Sequence, residues 1–366
     1  MTIFTKHFYT PDMKKQYAAI LLSAFVFLSF TSDKPAYRLY DQDGKKVKYD
    51  KMMKELEQAD IIFFGELHTD PIAHWLQLEM TKELFERKQE ALVLGAEMFE
   101  ADNQLILTEY LDGMYNTDKF EAEMRLWGNY QTDYKPLVEF AKENQIPFVA
   151  TNIPRRYANV VYQKGFEGLE ELSDEAKAFI APLPMRYDPE VACYKNMLDK
   201  LGMGNAPHGK EKAMPGAEKA MPGADTTLHT AERSISGADT TSHSKGTTMP
   251  GESQAMPGKE NPMHPMGKKS APMENLPKAQ AAKDATMAHF ILENWTGGKT
   301  LFHFNGSYHS DNFEGIVWHL LQQKADLKIM TISTVQQPEI DTLAEENINI
   351  ANYIVCIPEN MTRTKR

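Results

Sequence analysis

Short apolar runs alternate with stretches of helical periodicity along most of this chain. The apolar runs predict strands at residues 61–64, 92–96, 147–150, 300–304, 327–332 and 353–357. Helical spacing of apolar residues predicts helices at 71–87, 104–111, 135–144, 279–294 and 312–323, and residues 37–48 predict a small hairpin. Because this alternation is typical of βαβ units, we predict an α/β fold with a mainly parallel central sheet flanked by helices.

The segment 203–277 breaks this pattern. It contains no Phe, Tyr or Trp and repeats Ala-Met-Pro-Gly at 213, 220 and 255. Such a composition buries too little apolar surface to offset the conformational entropy that is lost on folding. We therefore predict a long, low-complexity, disordered insert at 203–277. It would divide in sequence a single domain formed by residues 33–202 and 278–360.

Residues 1–32 have the pattern of an export signal. The apolar run 18–30 follows Lys14 and Lys15, and Met13 just before them would make a natural start of translation. The run is shorter than the roughly 20 residues that a membrane-spanning helix needs, which favours a cleaved signal peptide over an uncleaved tether. We expect export to the periplasm or cell envelope, where peripheral association is compatible with the sequence. Thr31, Ser32 and Asp33 occupy the positions directly after the run, where a lipoprotein would carry its acylated Cys, so a lipid anchor has no support.

Charge and cysteine content narrow the classes of function. The net charge is -11 and no basic stripe occurs, so a nucleic-acid partner held by phosphate neutralisation has no support. Cys193 and Cys356 are the only cysteines and do not make a disulfide framework. We therefore expect a small-molecule partner. The sequence leaves the oligomeric state open.

Polar residues follow several predicted strands at the point where each strand ends. Glu66 and His68 follow the first strand, Glu97 follows the second, and Asn305 and His309 follow the fourth. The carboxyl ends of parallel strands meet at one edge of a sheet, where open α/β sheets bind their ligands. The sequence therefore predicts one polar site built from these five side chains.

Two carboxylates and two imidazoles permit more than one chemistry. Glu66, His68, Glu97 and His309 could ligate a divalent metal in a mixed nitrogen and oxygen site. The same residues could exchange protons with a substrate or with an activated water, or could surround a planar cofactor. The glycines before Glu66 and after Asn305 are expected to form tight turns that expose these side chains.

Three further features are candidates for the same site. His74, on the first predicted helix, could close the pocket or could cap the edge of the core. Arg155 could hold a carboxylate, propionate or phosphate, or could pair with Glu66 or Glu97 as scaffolding. Trp127 and the tyrosine three residues after it could stack on a flat ligand or belong to the core.

A set of short motifs runs through the chain from about residue 60 to residue 320 and covers nearly all of the predicted folded part. These motifs are 64–68 (FGELH), His74, Gln77, 95–99 (GAEMF), 110–113 (YLDG), 152–155 (NIPR), 284–288 (DATMA) and 305–309 (NGSYH). In this order they resemble the motifs of the ChaN family, within the Tiki/ChaN haem-binding-uptake superfamily, which looks related to erythromycin-esterase-like hydrolases. The chain departs from the family pattern in lacking the lipid-accepting Cys of many relatives and in carrying the insert.

The resemblance implies an envelope-associated protein of haem or iron acquisition. Haem would be bound non-covalently, because the sequence has no c-type attachment motif. The candidate cofactor-binding residues are His74, Arg155, Asn305, Tyr308 and His309. The axial ligand would be Tyr308, His309 or His74, and Arg155 would be the partner of a propionate.

The alternative that the resemblance implies is a metal-dependent or His/Glu-dependent hydrolase. In that hypothesis His68 or His309 acts as a base, and Glu66 and Glu97 act as metal ligands or as acid–base partners. The sequence has neither a Gly-x-Ser-x-Gly elbow nor a His-Glu-x-x-His motif, so a serine hydrolase or a zincin is not indicated.

The insert suggests a third and independent hypothesis. Residues 203–277 carry eight methionines and four histidines, including Met-His-Pro-Met at 263–266. Thioethers together with imidazoles suit Cu(I). A flexible linker that happens to repeat Ala-Met-Pro-Gly is the interpretation that we favour.

Overall fold

A seven-stranded sheet organises the chain in the computed structural model, which describes residues 34–200 and 273–365. Its strands are β1 (Arg38–Asp41), β2 (Ile61–Glu66), β3 (Leu92–Glu100), β4 (Phe148–Asn152), β5 (Thr300–Gly306), β6 (Ile329–Gln337) and β7 (Tyr353–Pro358). The strand order is β1-β7-β6-β2-β5-β3-β4, and all neighbours are parallel except β1 and β7. The predicted α/β fold with a mainly parallel sheet is confirmed.

Helices cover both faces of this sheet. The longer ones are α1 (Tyr49–Leu56), α2 (Pro71–Lys88), α3 (Gln104–Leu111), α4 (Thr117–Glu123), α5 (Lys135–Glu143), α6 (Arg155–Lys164), α7 (Leu276–Asn294) and α8 (Ile316–Gln323). Four-residue helices occupy Glu167–Glu170, Asp174–Lys177, Ala192–Lys195 and Met197–Lys200, and a π-helical turn occupies Tyr130–Tyr134. Across the described ranges, none of the helices has the length and apolar character needed to cross a membrane.

The central strands are buried on both faces. All six residues of β2 and all nine of β3 are buried, which explains their nearly continuous apolar sequences. One hydrophobic cluster packs α1, α2, α3 and α5 against the sheet, and a second packs α7 and α8. The core therefore has two layers, and the polar residues within these strands have no exposed face to occupy.

The chain order creates a switch point near the middle of the sheet. From β2 the chain runs to β3 and β4 on one side, returns to place β5 between β2 and β3, and then crosses to β6 and β7 on the other side. Ligands of open α/β sheets bind beyond the carboxyl ends of strands at such a point. The ends of β2, β3 and β5 are the ones that carry the predicted polar residues.

Helix α2, which follows β2, is positioned by its first turn. The side chain of Asp70 accepts hydrogen bonds from the backbone nitrogens of Ile72 (2.9 Å) and Ala73 (3.1 Å), and Pro71 occupies the first helical position. The cap fixes the residue at which α2 begins, and with it the face of the helix on which His74 lies. His74 is on the buried face.

Several predicted elements differ from the structure. The predicted hairpin is wrong as a separate unit, because β1 pairs with β7 and only an isolated bridge joins Tyr40 to Lys46. The last helix begins at Ile316 rather than at 312, because Asn312 and Phe313 have positive φ. The sequence pattern does not predict helices α1, α4 and α6.

The predicted signal peptide at 1–32 lies outside the described residues, as does the insert from 203 to 272, so both stay predictions. At the far end of the predicted insert, residues 273–277 form a 3₁₀ turn and the start of α7. Asn275 and Pro277 are buried there. The insert therefore ends earlier than the sequence pattern suggests.

A side chain covers part of the free edge of β4. The side-chain amide of Gln104 donates through Nε2 to the carbonyl of Phe148 (3.0 Å) and accepts through Oε1 from the nitrogen of Ala150 (2.6 Å). These are the two hydrogen bonds that a neighbouring strand would supply. Gln104 thus shields an edge that would otherwise invite pairing with another chain.

Replacing Gln104 by Ala is expected to lower the free energy of unfolding by about 1–3 kcal/mol, because two backbone groups lose their partner. It should also increase self-association, since the edge becomes available. Urea denaturation and size-exclusion chromatography measure the two effects. Gln104→Glu, which keeps only the acceptor, should be intermediate, and Leu105→Ala on the exposed face should change neither. An unaltered Gln104→Ala variant would contradict the edge-shielding role.

Candidate functional site

The five residues predicted to form the site lie together at the carboxyl ends of β2, β3 and β5. Exposure is 1% for Glu66, 6% for His68, 4% for Glu97, 0% for Asn305 and 3% for His309. We call these residues, with the side chains that they hydrogen-bond, the strand-end cluster. Because its core is buried, each polar group must find a protein partner.

Glu66 is the centre of the first half of the cluster. Its carboxylate accepts hydrogen bonds from Gln77 Nε2 (2.6 Å) and from the hydroxyl of Tyr134 (2.7 Å), and lies 2.9 Å from His68 Nδ1. Burial raises the pKa of this carboxyl, but His74, His68 and Tyr134 outweigh it and hold the pKa below the ordinary value. Glu66 is therefore a buried anion held by donors on several sides.

His74 lies inside the protein behind Glu66. Its Nδ1 is 3.1 Å from Gln77 Oε1, and its Nε2 is 3.2 Å from the carbonyl oxygen of His68 and 3.4 Å from Asp133 Oδ2. Both ring nitrogens therefore face protein acceptors. Asn129 joins the same network by donating to the carbonyl of His68 (2.7 Å).

Glu97 and His309 form the second half of the cluster. Glu97 Oε2 accepts a hydrogen bond from the backbone nitrogen of Gly306 (2.8 Å), and Glu97 Oε1 lies 3.3 Å from His309 Nε2. The other nitrogen of His309, Nδ1, lies 2.5 Å from Asp284 Oδ1. The imidazole thus sits between two carboxylates.

This arrangement fixes the charges of the second half. Burial lowers the pKa of His309, but Glu97 and Asp284 outweigh it and raise this pKa to about 10. Burial also raises the pKa of Glu97, whereas His309, His68 and Lys283 bring it well below its ordinary value. At neutral pH His309 is therefore an imidazolium held between anions.

Asp284 extends the cluster towards α8. Its Oδ2 accepts a hydrogen bond from the hydroxyl of Tyr194 (2.7 Å), and this hydroxyl is 3.2 Å from His319 Nε2. Burial lowers the pKa of His319 to about 4, so this ring is neutral. The hydroxyl of Tyr194 thereby holds one oxygen of Asp284 while the other oxygen holds His309.

Two glycines allow the halves to meet. A Cβ on Gly306 would lie 2.8 Å from Cε1 and 2.9 Å from Nε2 of His68, and a Cβ on Gly65 would lie 2.8 Å from Cα of Ser307. Neither glycine has a positive φ, so the predicted tight turns are wrong. Both glycines instead provide the space for close approach.

Asn305 shapes the loop after β5. Its Nδ2 donates to the carbonyl of Gly306 (2.9 Å) and to the hydroxyl of Ser310 (3.0 Å), and its Oδ1 lies 3.1 Å from His303 Nδ1. Burial lowers the pKa of His303 to about 4, so this ring is neutral. The observed contacts give Asn305 a role in holding the loop that carries His309.

Arg155 lies at the rim of the cluster and not within it. The expectation that it pairs with Glu66 or Glu97 is wrong, because its Nε bonds to Glu100. Glu100 also accepts from the backbone nitrogen of Arg155 (3.2 Å) and from Arg125 Nε (3.0 Å). The carboxylate of Glu100 lies where β3 ends and α6 begins. Arg155 is therefore held at this carboxylate and not at Glu66 or Glu97.

Three arginines form this rim, which we call the arginine rim: Arg125, Arg155 and Arg156. Asp102 pairs with Arg125 and Arg156, as Glu100 does with Arg125 and Arg155. The carboxylate side chains are at most 10% exposed, whereas the arginines are 38%, 57% and 48% exposed. The rim therefore presents positive charge to solvent above a buried acidic pair.

The predicted aromatic residues divide between surface and core. Tyr308 is half-buried, and its hydroxyl donates to the carbonyl of Cys193 (2.5 Å). Burial and nearby Cys193 raise the pKa of Tyr308. Trp127 is half-buried and meets the ring of His68 edge-on at 4.9 Å, whereas Tyr130 is 2% exposed and belongs to the core.

The proposed metal set of Glu66, His68, Glu97 and His309 finds no support in the structure. Within residues 34–200 and 273–365, no three His, Cys, Asp or Glu side chains are placed as ligands of one ion. The cluster consists instead of two carboxylate–imidazole pairs. Nδ1 of His68 and both ring nitrogens of His309 lie against carboxylate oxygens, so these nitrogens carry protons that they donate and have no lone pair for a metal ion.

Sequence reasoning missed several side chains of the cluster. Asp284 lies in the DATMA motif and stood out only for its resemblance, although it contacts His309 directly. Tyr134 and Asn129 lie in or beside a π-helical segment without a recognisable motif. Tyr194 is 90 residues from Asp284 in sequence, so no local pattern could have linked the two.

Comparisons with known proteins agree with this fold. A solved structure described as cofacial heme binding to ChaN of Campylobacter jejuni is similar with a TM-score of 0.55 and 16% identity, over 88% of this chain and 97% of that one. RETICULATA-RELATED 5, a chloroplastic protein of Arabidopsis thaliana, is 27% identical over 145 residues. That match covers 38% of this chain and 19% of the relative, so the chain spans about a fifth of its length.

Family membership follows from a broader match. The model of a family described as haem-binding uptake, Tiki superfamily, ChaN matches residues 52–320, well over half of the chain. The match begins in α1 and ends in α8, so it includes β2, β3 and β5 with every residue of the predicted site. The chain therefore belongs to the ChaN family of the Tiki haem-binding-uptake superfamily.

Proposed function

We propose that this protein is an exported haem-binding protein of the ChaN type, which serves haem or iron acquisition in the cell envelope. The observation that carries the proposal is the family match over residues 52–320, which includes the whole strand-end cluster. The relative from Campylobacter jejuni, whose fold is similar, is described as binding haem. The proposal extends that property to this chain.

The interior of the strand-end cluster does not suit haem. Both nitrogens of His74 and both nitrogens of His309 face protein acceptors. An imidazolium has no lone pair for iron, so His309 is excluded as an axial ligand in this state. The surface beside the cluster suits haem better.

Tyr308 is the predicted ligand that lies nearest the surface. It is half-buried, and its hydroxyl donates a single hydrogen bond, to the carbonyl of Cys193. Tyrosine oxygen is an established axial ligand of ferric haem. Tyr308 is therefore the residue that would hold the haem iron, and bound haem would supply an iron centre with a Soret absorption band.

Arg155 is the candidate partner of a haem propionate. Among the described residues its hydrogen bonds run through Nε and the backbone nitrogen, which leaves the terminal guanidinium nitrogens available to a ligand. Its side chain is 57% exposed. Guanidinium groups bind carboxylates in a bidentate manner, which suits a propionate at the arginine rim.

Titration of the purified protein with ferric haem tests the proposal. We expect saturable binding at micromolar concentration with a shifted Soret band, and a loss of affinity of at least about tenfold in Tyr308→Phe, equivalent to 1.4 kcal/mol. Tyr115→Phe is the matched control, because the hydroxyl of Tyr115 also donates to a backbone carbonyl, that of Ile106. Absence of a Soret shift at micromolar concentration would remove the proposal.

The hydrolase alternative receives less support from the geometry. A residue that acts as a general base must be unprotonated at the working pH. The pKa of His309 is about 10, so it is protonated at neutral pH. His68 remains the only one of the two proposed bases that this argument leaves open.

The export component rests on the N-terminal sequence pattern. Fusion of residues 1–33 to a reporter that is active only outside the cytoplasm tests it directly. Activity of the fusion supports export. A reporter that stays inactive, with the fusion protein intact, would remove the export component and leave haem binding untouched.

A further inference from the structure

A groove with a volume of about 500 Å³ runs along the outer side of α2. Three aromatic side chains, Tyr37, Tyr49 and Trp75, line it together with charged residues of α2. Its lining shares no residue with the strand-end cluster or with the arginine rim. The volume lies in the range typical of small-molecule sites, roughly 300–1,000 Å³.

One wall of this groove is formed by the exposed aromatic side chain of Trp75. The side chain is 48% exposed, although its neighbours His74 and Leu76 are buried. Tyr37 lies beside it, with ring centroids 6.1 Å apart and planes inclined at 59°. Two inclined aromatic faces open to solvent provide the negative π surface that attracts a cation.

Carboxylates of α2 line the same groove as these rings. Glu79 pairs with Lys82 (2.8 Å), while Arg87 is shared between Glu83 and Glu57. The two cations of this face are therefore already neutralised by three carboxylates. Glu86, exposed on the next turn of the groove wall, adds a fourth, so the local balance is negative.

The pKa of Tyr49 is affected by the same carboxylates. Burial, followed by the charge of Glu83 and a hydrogen bond to it, raises the pKa of the Tyr49 hydroxyl. The hydroxyl of Tyr49 therefore remains protonated beside Glu83. Tyr49 adds a third aromatic side chain to the lining of the groove.

We propose that the groove binds a small organic ammonium ion of the quaternary or methylated amine class. The cationic head would lie against Trp75 and Tyr37, and the carboxylate of Glu86, the one that has no ion pair among the described residues, would balance its charge. Aromatic faces with nearby carboxylates are the combination that recognises such ions, because a quaternary ammonium is large, weakly hydrated and unable to donate hydrogen bonds. The site is separate from the one proposed for haem.

Calorimetric titration of the purified full chain with choline, compared with 3,3-dimethyl-1-butanol, tests this proposal. The two compounds have nearly the same shape, but only choline is charged. We expect saturable binding of choline and at least about tenfold weaker binding of the alcohol, a difference of 1.4 kcal/mol. Tetramethylammonium should compete with choline.

Trp75→Leu keeps an apolar side chain but removes the π face, and it should weaken choline binding at least about tenfold. Leu105→Ala, another exposed apolar position on a helix, is the matched control and should bind choline normally. Circular dichroism and haem titration verify that both variants are folded. Equal affinity for choline and the alcohol, unchanged binding by Trp75→Leu, or no saturation by choline up to 50 mM would each overturn the proposal.

Discussion

Gly65→Ala is expected to be among the most destabilising single substitutions in this protein, with a loss of about 3 kcal/mol. The added Cβ would lie 2.8 Å from Cα of Ser307 and 3.1 Å from the carbonyl oxygen of Ile332. Both atoms belong to the backbone, so no side-chain rotation can relieve the contact. The loop after β5 would have to move away from β2, and the two halves of the strand-end cluster would separate.

Urea denaturation measures the loss of stability, and the shift of the His68 ring signals in NMR measures the loss of the site. Gly297→Ala is the matched control, because Gly297 is exposed and a Cβ there meets nothing within 4 Å. That variant should change stability by less than about 0.5 kcal/mol. A Gly65→Ala protein as stable as the Gly297→Ala protein would refute the close-approach argument.

Gly306 provides an internal comparison. A Cβ there would meet the ring of His68, which is a side chain and can turn aside, rather than backbone. Substitution of Gly306 should therefore disturb the geometry of the site more than the stability of the fold. Gly65 therefore allows two backbone segments to approach each other, whereas Gly306 leaves room for the side chain of His68.

The fold is predictable from the sequence because both layers of the core leave a clear pattern. Buried parallel strands give continuous apolar runs, and these mark six of the seven strands. The predicted strand ends fall too early, because Glu66, Glu97 and Asn305 belong to β2, β3 and β5 themselves. A polarity pattern assigns a buried polar residue to a loop, so it ends these three strands before their last residues.

Long-range partners are not predictable in this way. β1 pairs with β7, about 300 residues away, and a local pattern offers it only a neighbouring hairpin partner. The sequence leaves open whether Arg155 binds an anionic group or pairs with Glu66 or Glu97. In the structure it pairs with Glu100, which lies beyond a register shift in the pairing of β3 with β4. Sequence spacing gives the edge of the sheet on which a residue lies, but it does not give the partner.

The same limit applies to Asp284, whose removal should have the second large effect. Asp284→Ala leaves the buried His309 imidazolium with Glu97 as its remaining carboxylate, and breaking a buried ion pair in this way costs about 3–5 kcal/mol. Asp284→Asn keeps a hydrogen-bond acceptor for Nδ1 and removes only the charge, so its cost should be smaller. Urea denaturation at pH 7 ranks the two variants.

The pH dependence of stability distinguishes this charge effect from simple loss of packing. The pKa of His309 is raised from 6.5 to about 10 in the folded protein, so the folded state binds the proton more tightly than the unfolded state. The stabilisation from this group is fully present below pH 6.5 and is lost as the pH rises to about 10. In Asp284→Asn the folded pKa falls, so stability should decline less between these limits.

Denaturation of the parent protein and of Asp284→Asn at pH 6.5, 8 and 9.5 measures this difference, and ¹⁵N NMR of the imidazole at pH 8 reports the charge of His309 directly. A doubly protonated ring in the parent and a partly neutral ring in the variant are the expected results. A neutral ring in the parent at pH 8 would contradict the imidazolium assignment. It would also restore His309 as a candidate base, because the argument against the hydrolase hypothesis rests on this proton.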